Sequence, residues 1–199
     1  MRWLILGLLG MIFGGPARAA DLKWGAGGFV GGAIPRSPLG PTLAPHLEAT
    51  VVLPVAEGRL RPVLTVGWAR LSAEGAGEDD AVGGAYDWRL VETVVPVGLG
   101  LTARPLQPGG PTQLELTVEP QWVWMSTATN GSASGAEFGV TRERSAAAGL
   151  RAAAGVSRDV GLGEVVGALA YAVAPLKGTL TGEGALHTLT PTLGFRMWF

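Results

Sequence analysis

From Gln113 to Trp124 the chain alternates residue by residue between two kinds of side chain. Leu114, Leu116, Val118, Pro120, Trp122 and Trp124 fall on one face, and Gln113, Glu115, Thr117, Glu119, Gln121 and Val123 on the other. A period of two belongs to a strand, because at 3.6 residues per turn both faces of a helix would be mixed. Leu189 to Phe199 repeats the pattern: Leu189, Pro191, Leu193, Phe195, Met197 and Phe199 stand opposite Thr190, Thr192, Gly194, Arg196 and Trp198. Six weaker segments of the same kind cover residues 22–32, 42–55, 59–71, 88–104, 142–157 and 164–175. The last is alanine-rich enough for a helix on propensity alone, and its neighbours argue for a strand.

The connections between these eight segments alternate in length. Short ones are expected at 56–58, 107–111 and 158–163, and longer polar ones at 34–41, 72–87, 126–139 and 176–187. Both termini then lie on the short-turn side, which is the layout of an all-β, eight-stranded antiparallel up-and-down transmembrane barrel. No linker interrupts it and no repeat of 20–50 residues underlies it, so the 199 residues suit one domain.

The N-terminus reads differently. Arg2 precedes an apolar run from Trp3 to Phe13, Gly14-Gly15-Pro16 breaks it, and Ala17-Arg18-Ala19 has the small-x-small pattern of a cleavage site. Residues 1–20 are expected to be a secretory signal peptide and 21–199 the mature domain, the run being about half the roughly 20 residues of a spanning helix. Cleavage removes Arg2 and Arg18 and no acid, so 13 basic side chains face 16 acidic ones, a net charge of -3. No basic field is present to hold nucleic acid. With no Cys in the chain, a disulfide scaffold, thiolate catalysis and cysteine-ligated metals are excluded. Charged residues are only 16% of the chain, against about 25% in a typical soluble domain.

Alternation alone does not say which face points inward. A soluble lipocalin-like barrel hides its apolar face and a membrane barrel shows it to lipid. Three features favour lipid. Charges sit in mid-strand on the polar face (Glu48, Glu119, Arg151), and lysine is nearly absent from the mature chain, with only Lys23 and Lys177. The mature tryptophans lie near segment ends, Trp24 and Trp198 at one rim and Trp68, Trp88, Trp122 and Trp124 at the other, as in a pair of aromatic girdles. Backbone groups in lipid must be paired, so an exported chain without spanning helices crosses a bilayer only as a closed barrel. Eight strands leave a bore that side chains fill. The inward set is expected to be Lys23, Arg61, Arg104, Arg151 and Arg196 against Glu48, Glu92, Glu115, Glu119 and Glu164, an ion-paired plug rather than an open pore.

The terminal run Leu193-Gly194-Phe195-Arg196-Met197-Trp198-Phe199 resembles the C-terminal signal of bacterial outer-membrane β-barrel proteins, a final Phe preceded by apolar residues at alternate positions. With the signal peptide and eight strands, the mature chain resembles the small eight-stranded barrels of the OmpA/OmpX-like class. The resemblance implies residence in the bacterial outer membrane, contact with outer-membrane lipid and lipopolysaccharide, and reading of Phe195, Met197 and Phe199 by the barrel-assembly machinery. In departure from full-length OmpA-like proteins, no peptidoglycan-binding domain is expected, and the loops are expected to be shorter than those of adhesive members.

Other chemistry is sparse. His46 and Glu48 share the polar face of one strand, a pairing that could orient a general base. Barrel-type lipid A deacylases and acyltransferases combine His with Ser, and this chain has no Ser in 42–55 and no H-x-S pattern. The pair is expected to be a lumen hydrogen-bond pair, and His187 a solvated strand edge. Glu74 and Glu78-Asp79-Asp80 lack the spacing of a cation loop. Glu115 and Glu119, roughly 13 Å apart by strand rise, are too distant for a glycosidase pair. No phosphate loop of the form GxxxxGK[ST] occurs. Arg70, Arg89, Arg142 and Arg144 fall at outer strand ends, where they could meet lipopolysaccharide phosphates. The expectation is a non-enzymatic envelope protein without metal or cofactor. A lipid A-modifying enzyme, a small pore and a soluble lipocalin-like binder are the alternatives.

Overall fold

The computed structural model describes residues 23–36, 40–52, 59–79, 84–105, 110–133, 136–176 and 185–199. The expected signal peptide, residues 1–20, lies outside them. The described chain forms β1 (Lys23–Pro35), β2 (Thr42–Leu43), β3 (His46–Val52), β4 (Leu60–Gly67), β5 (Ala69–Asp79), β6 (Gly84–Ala103), β7 (Thr112–Ala133), β8 (Ala136–Asp159), β9 (Gly163–Ala174) and β10 (Leu186–Trp198). All pairings are antiparallel, and β10 returns to β1, with Gly25 opposite Trp198 and Val30 opposite Leu193.

The ten stretches make eight barrel strands. β2 and β3 share one register on β1, where Leu43 pairs with Gly32 and His46 with Phe29. β4 and β5 likewise share one register on β6, through Val66–Val97 and Ala69–Val94. Carrying the register once around, from Gly28 through Leu47, Val66, Val97, Trp122 and Ala148, returns to β1 about ten residues from its start. Such a stagger is what a closed ring of tilted strands requires. The last residue extends the ladder between β10 and β1: Phe199 N–H donates to the Trp24 carbonyl at 2.8 Å, and the two rings lie 5.1 Å apart.

The faces are assigned opposite to those of a soluble barrel. Leu43 and Leu47 (each 68% exposed), Leu99 (65%) and Leu193 (64%) point outward, while Glu119 (0%), Glu92 (2%) and Arg196 (3%) are buried. The alanine-rich segment 164–175 is the strand β9.

Two of the four expected long loops are strands. β6, β7 and β8 have 20, 22 and 24 residues, against 13, 12 and 13 in β1, β9 and β10. The hairpin of β5 and β6 therefore covers most of 72–87, and that of β7 and β8 most of 126–139. About ten extra tilted residues raise this side of the barrel roughly 25 Å above the other. The short turn after β8 depends on Gly161, whose φ of +89° is open to glycine, with its N–H donating to Asp159 Oδ1 at 2.7 Å.

Candidate functional site: the bore and the outer arginine row

Side chains from five strands meet at the short-turn end of the bore. Glu115 on β7 and Glu164 on β9 are the acceptors. Arg104, just past β6, donates from Nε to Glu115 Oε1 at 2.9 Å and from Nη2 to Glu164 Oε2 at 2.6 Å and Ser157 Oγ at 3.0 Å. Arg196 on β10 donates from Nη1 to the same two carboxylates at 3.1 and 2.9 Å. Arg61 on β4 completes the group, with Nη1 3.5 Å from Glu164 Oε2. The guanidinium carbons of Arg61 and Arg196 lie 4.7 and 5.7 Å from the centre of the Trp198 ring. A buried charge is tolerable only when paired and hydrogen-bonded, and each carboxylate here meets more than one guanidinium.

A second pair lies deeper. Glu119 is fully buried and accepts from Arg151 Nη1 at 3.2 Å and Gln121 Nε2 at 2.7 Å, with Thr65 Oγ1 as a third donor. Its carboxyl crosses β6 at Gly98, where any Cβ would collide with it. Above this level Leu71, Leu90, Val94, Val123, Met125 and Leu186 form one buried cluster, with Glu92 and Thr127 buried beside it.

The expected inward residues thus fall into several groups. The structure brings Arg61, Arg104, Glu115, Glu164 and Arg196 together, and separately Glu119 and Arg151. Glu92 is buried, but it lies roughly 30 Å along β6 from Thr102 and among the apolar residues, so it is no part of the lower cluster. Lys23 has the inward parity yet is exposed, because it stands at the open end of β1. The Glu48 side chain lies outside the described residues. His46 stacks face to face on Phe29 at 4.6 Å, and His187 takes part in a 2.6 Å hydrogen bond with the Tyr171 hydroxyl, where solvation alone was expected.

Two tryptophans also leave the expected girdles. Trp198 turns toward the bore beneath the two arginines, and Trp88 packs against the inner apolar cluster. The outward rings include Trp24 and Phe199 at one rim, and Trp68, Trp122, Trp124 and Tyr171 at the other. Thr112 to Trp122 on β7 is eleven residues, close to the 9–11 that cross a bilayer as a tilted strand.

Past the second girdle stand the expected outer arginines, all four exposed. Arg70, Thr93, Ser126 and Arg144 form one continuous cross-strand row over β5, β6, β7 and β8. Arg142 is the next outward residue on β8, and Arg89 faces Glu74 across β5 and β6. Of the acidic run, Glu78 is on β5 and exposed, and Asp80 is outside the described residues. Among the described residues no group of His, Asp and Glu is placed to hold a metal ion.

No family model matches the chain, and no curated protein matches it in sequence. Solved structures do. A major outer membrane protein from Thermus thermophilus aligns with a TM-score of 0.57 at 14% identity, over 90% of this chain and 100% of that one. Neisserial surface protein A gives 0.48 at 13% identity, over 89% and 97%. The N-terminal β-barrel domain of OprF from Pseudomonas aeruginosa gives 0.43 at 10%, over 87% and 97%. At these identities the likeness is one of fold, and the Thermus structure carries it. Closed by β10 on β1, with its apolar residues outside and its charges within, this chain has the fold of the small eight-stranded outer-membrane β-barrels.

Proposed function

We propose that the chain is an integral protein of the bacterial outer membrane, exported through residues 1–20, with a structural and surface-interacting role rather than a catalytic one. The observation that carries this is the inverted burial. Outward Leu, Val, Trp and Phe side chains would each cost about 25 cal/mol per Å² in water, and a bilayer removes that cost. A closed barrel is favoured over a pore because charge pairs occupy one end of the bore and a mainly apolar cluster, with Glu92 and Thr127 buried beside it, the other. The partner of the outer face is lipopolysaccharide. Arg70 and Arg144 end a row whose middle members carry hydroxyls, and a guanidinium is suited to bidentate contact with phosphate. Arg89 and Arg142 extend the same basic surface. During biogenesis the barrel-assembly machinery reads Phe195, Met197 and Phe199, all of which point outward. Both histidines have structural neighbours, which favours a non-enzymatic role.

The test is membrane fractionation followed by gel electrophoresis of unheated and boiled samples. An outer-membrane band whose mobility shifts on boiling is expected. A detergent-free soluble protein without a shift would overturn the reading.

A further inference from the structure

Arg151 stands in the middle of the bore with one flank occupied and the other open. Register places it in a continuous cross-strand row, Glu119–Arg151–Ala172–Thr188, over β7, β8, β9 and β10. On the β7 side its Nη1 donates to Glu119 Oε2 at 3.2 Å. On the β9 side Ala172 carries only a methyl group, which offers a guanidinium no acceptor, and Thr188 lies one strand further on. The two members of the ion pair are unequally satisfied. Glu119 accepts from three donors, those of Arg151, Gln121 and Thr65. A guanidinium carries five N–H donors, and among the described residues Glu119 is the one acceptor that Arg151 meets.

The open flank borders a cavity of about 90 Å³: Arg151, Ala172 and Thr188 all line it, and Glu119 does not. Thr190, Gln121 and His46 add polar groups to its wall, while Leu71 and Leu186 of the upper cluster bound it on the outer side. Thr192 also lines it, and its hydroxyl donates to the Ala168 carbonyl at 3.3 Å. The hydroxyls of Thr188 and Thr190 have no such partner among the described residues. The chamber therefore offers charged and neutral donors without an acceptor that uses them. A guanidinium held away from bulk water costs free energy until acceptors meet its donors.

We propose that this chamber binds a small planar oxyanion, of the carboxylate or nitrate kind, on the open flank of Arg151 with the hydroxyls of Thr188 and Thr190 as further donors. A cavity of about 150 Å³ holds one benzene, so one of about 90 Å³ takes about three or four non-hydrogen atoms. With Nη1 given to Glu119, the Nε and Nη2 donors form the edge that meets two oxygens of one such ion side by side. Ala172 and Ala170 are the residues whose small side chains leave the space between Arg151 and the threonines. The site needs only the closed bore and is independent of the envelope role given above.

The experiment uses the mature protein, carrying 13C-methyl labels on alanine and threonine and folded in uncharged detergent micelles. Sodium formate, nitrate, chloride and benzoate are each titrated while methyl NMR signals are followed. Saturable shifts at Ala172, Thr188 and Thr190 are expected with formate and nitrate, while the outward Ala146 and Ala148 stay unmoved. Benzoate, too large for the chamber, gives none. Ala172→Leu fills the gap beside Arg151, leaves the Glu119 pair in place and abolishes the shifts at Thr188 and Thr190. Arg151→Lys keeps the charge without the fork and weakens formate about tenfold or more. Should Ala172→Leu fail to fold, Thr188→Val, which removes one hydroxyl at nearly constant volume, must weaken the formate response at Ala172. Absence of saturation by formate, saturation by chloride as tight as by formate, or a formate response indifferent to these variants overturns the site.

Discussion

At the short-turn end of the bore, Arg61, Arg104, Glu115, Glu164 and Arg196 fill the space with directed charge pairs; above Gln121, Leu71, Leu90, Val94, Val123 and Met125 fill a similar space with hydrocarbon. The two fillings specify different things. A guanidinium bonded to two carboxylates on different strands fixes those strands in one register, since a slip of one residue turns every side chain to the opposite face. The lower cluster joins strands far apart in sequence: Arg104 and Glu164 are separated by 60 residues, and Glu115 and Arg196 by 81. Hydrocarbon packing is non-directional and tolerates volume-conserving change. It is in the upper half that β2 and β5 run without a ladder, between the Trp68–Pro45 and Gly40–Ser72 hydrogen bonds. The charged half acts as the gauge of the barrel, and the apolar half as its adaptable part.

Substitutions in each half sharpen this contrast. Glu115→Ala leaves Arg104 and Arg196 short of a buried counter-charge and is expected to cost about 3–5 kcal/mol. Urea unfolding in vesicles, followed by tryptophan fluorescence, measures it, and a loss below about 1 kcal/mol would show that water compensates the cluster. Leu71→Ala in the upper half is expected to cost about 3 kcal/mol as a packing defect, without change of register. Gly98→Ala, at the boundary, forces the Glu119 carboxyl aside and is expected to cost about 1–3 kcal/mol. Combined with Glu119→Ala its effect falls well below the sum of the two single losses, since the clash has no partner left. Simple additivity would show that Gly98 is needed for the backbone of β6 alone.

Much of this was legible in the sequence because a strand writes its two faces in alternate letters. Gln113 to Trp124 alone separates inner Glu115, Glu119 and Gln121 from outer Leu116, Val118 and Trp122. The candidate charges were equally visible, being long polar side chains at inward positions. Other features were hidden by physics that spans strands. Glu74, Asp87, Arg89 and Asn130 look like loop residues because their strands continue past the girdle, where outward positions no longer meet an apolar medium. The apolar upper bore escapes notice because each strand supplies only one or two of its members, and closure alone brings Leu71, Val94, Val123 and Leu186 together. Position along the chain puts Trp198 and Trp88 at the girdles, whereas strand parity turns them inward. Lys23 shows the converse, a residue of inward parity with no bore left around it.

Beyond the height of β1, β9 and β10, the upper parts of β5, β6, β7 and β8 stand as a four-stranded sheet, with β5 along one margin and β8 before Leu150 along the other. Among the described residues, β5 pairs with β6 alone and β8 before Leu150 with β7 alone. Exposed Glu74 and Glu78 stand along one margin and exposed Arg142 and Arg144 along the other. The raised sheet therefore presents two carboxylates along β5 and, beside Glu137, two guanidinium groups along β8, so a charged surface ligand meets a different field on each side of it.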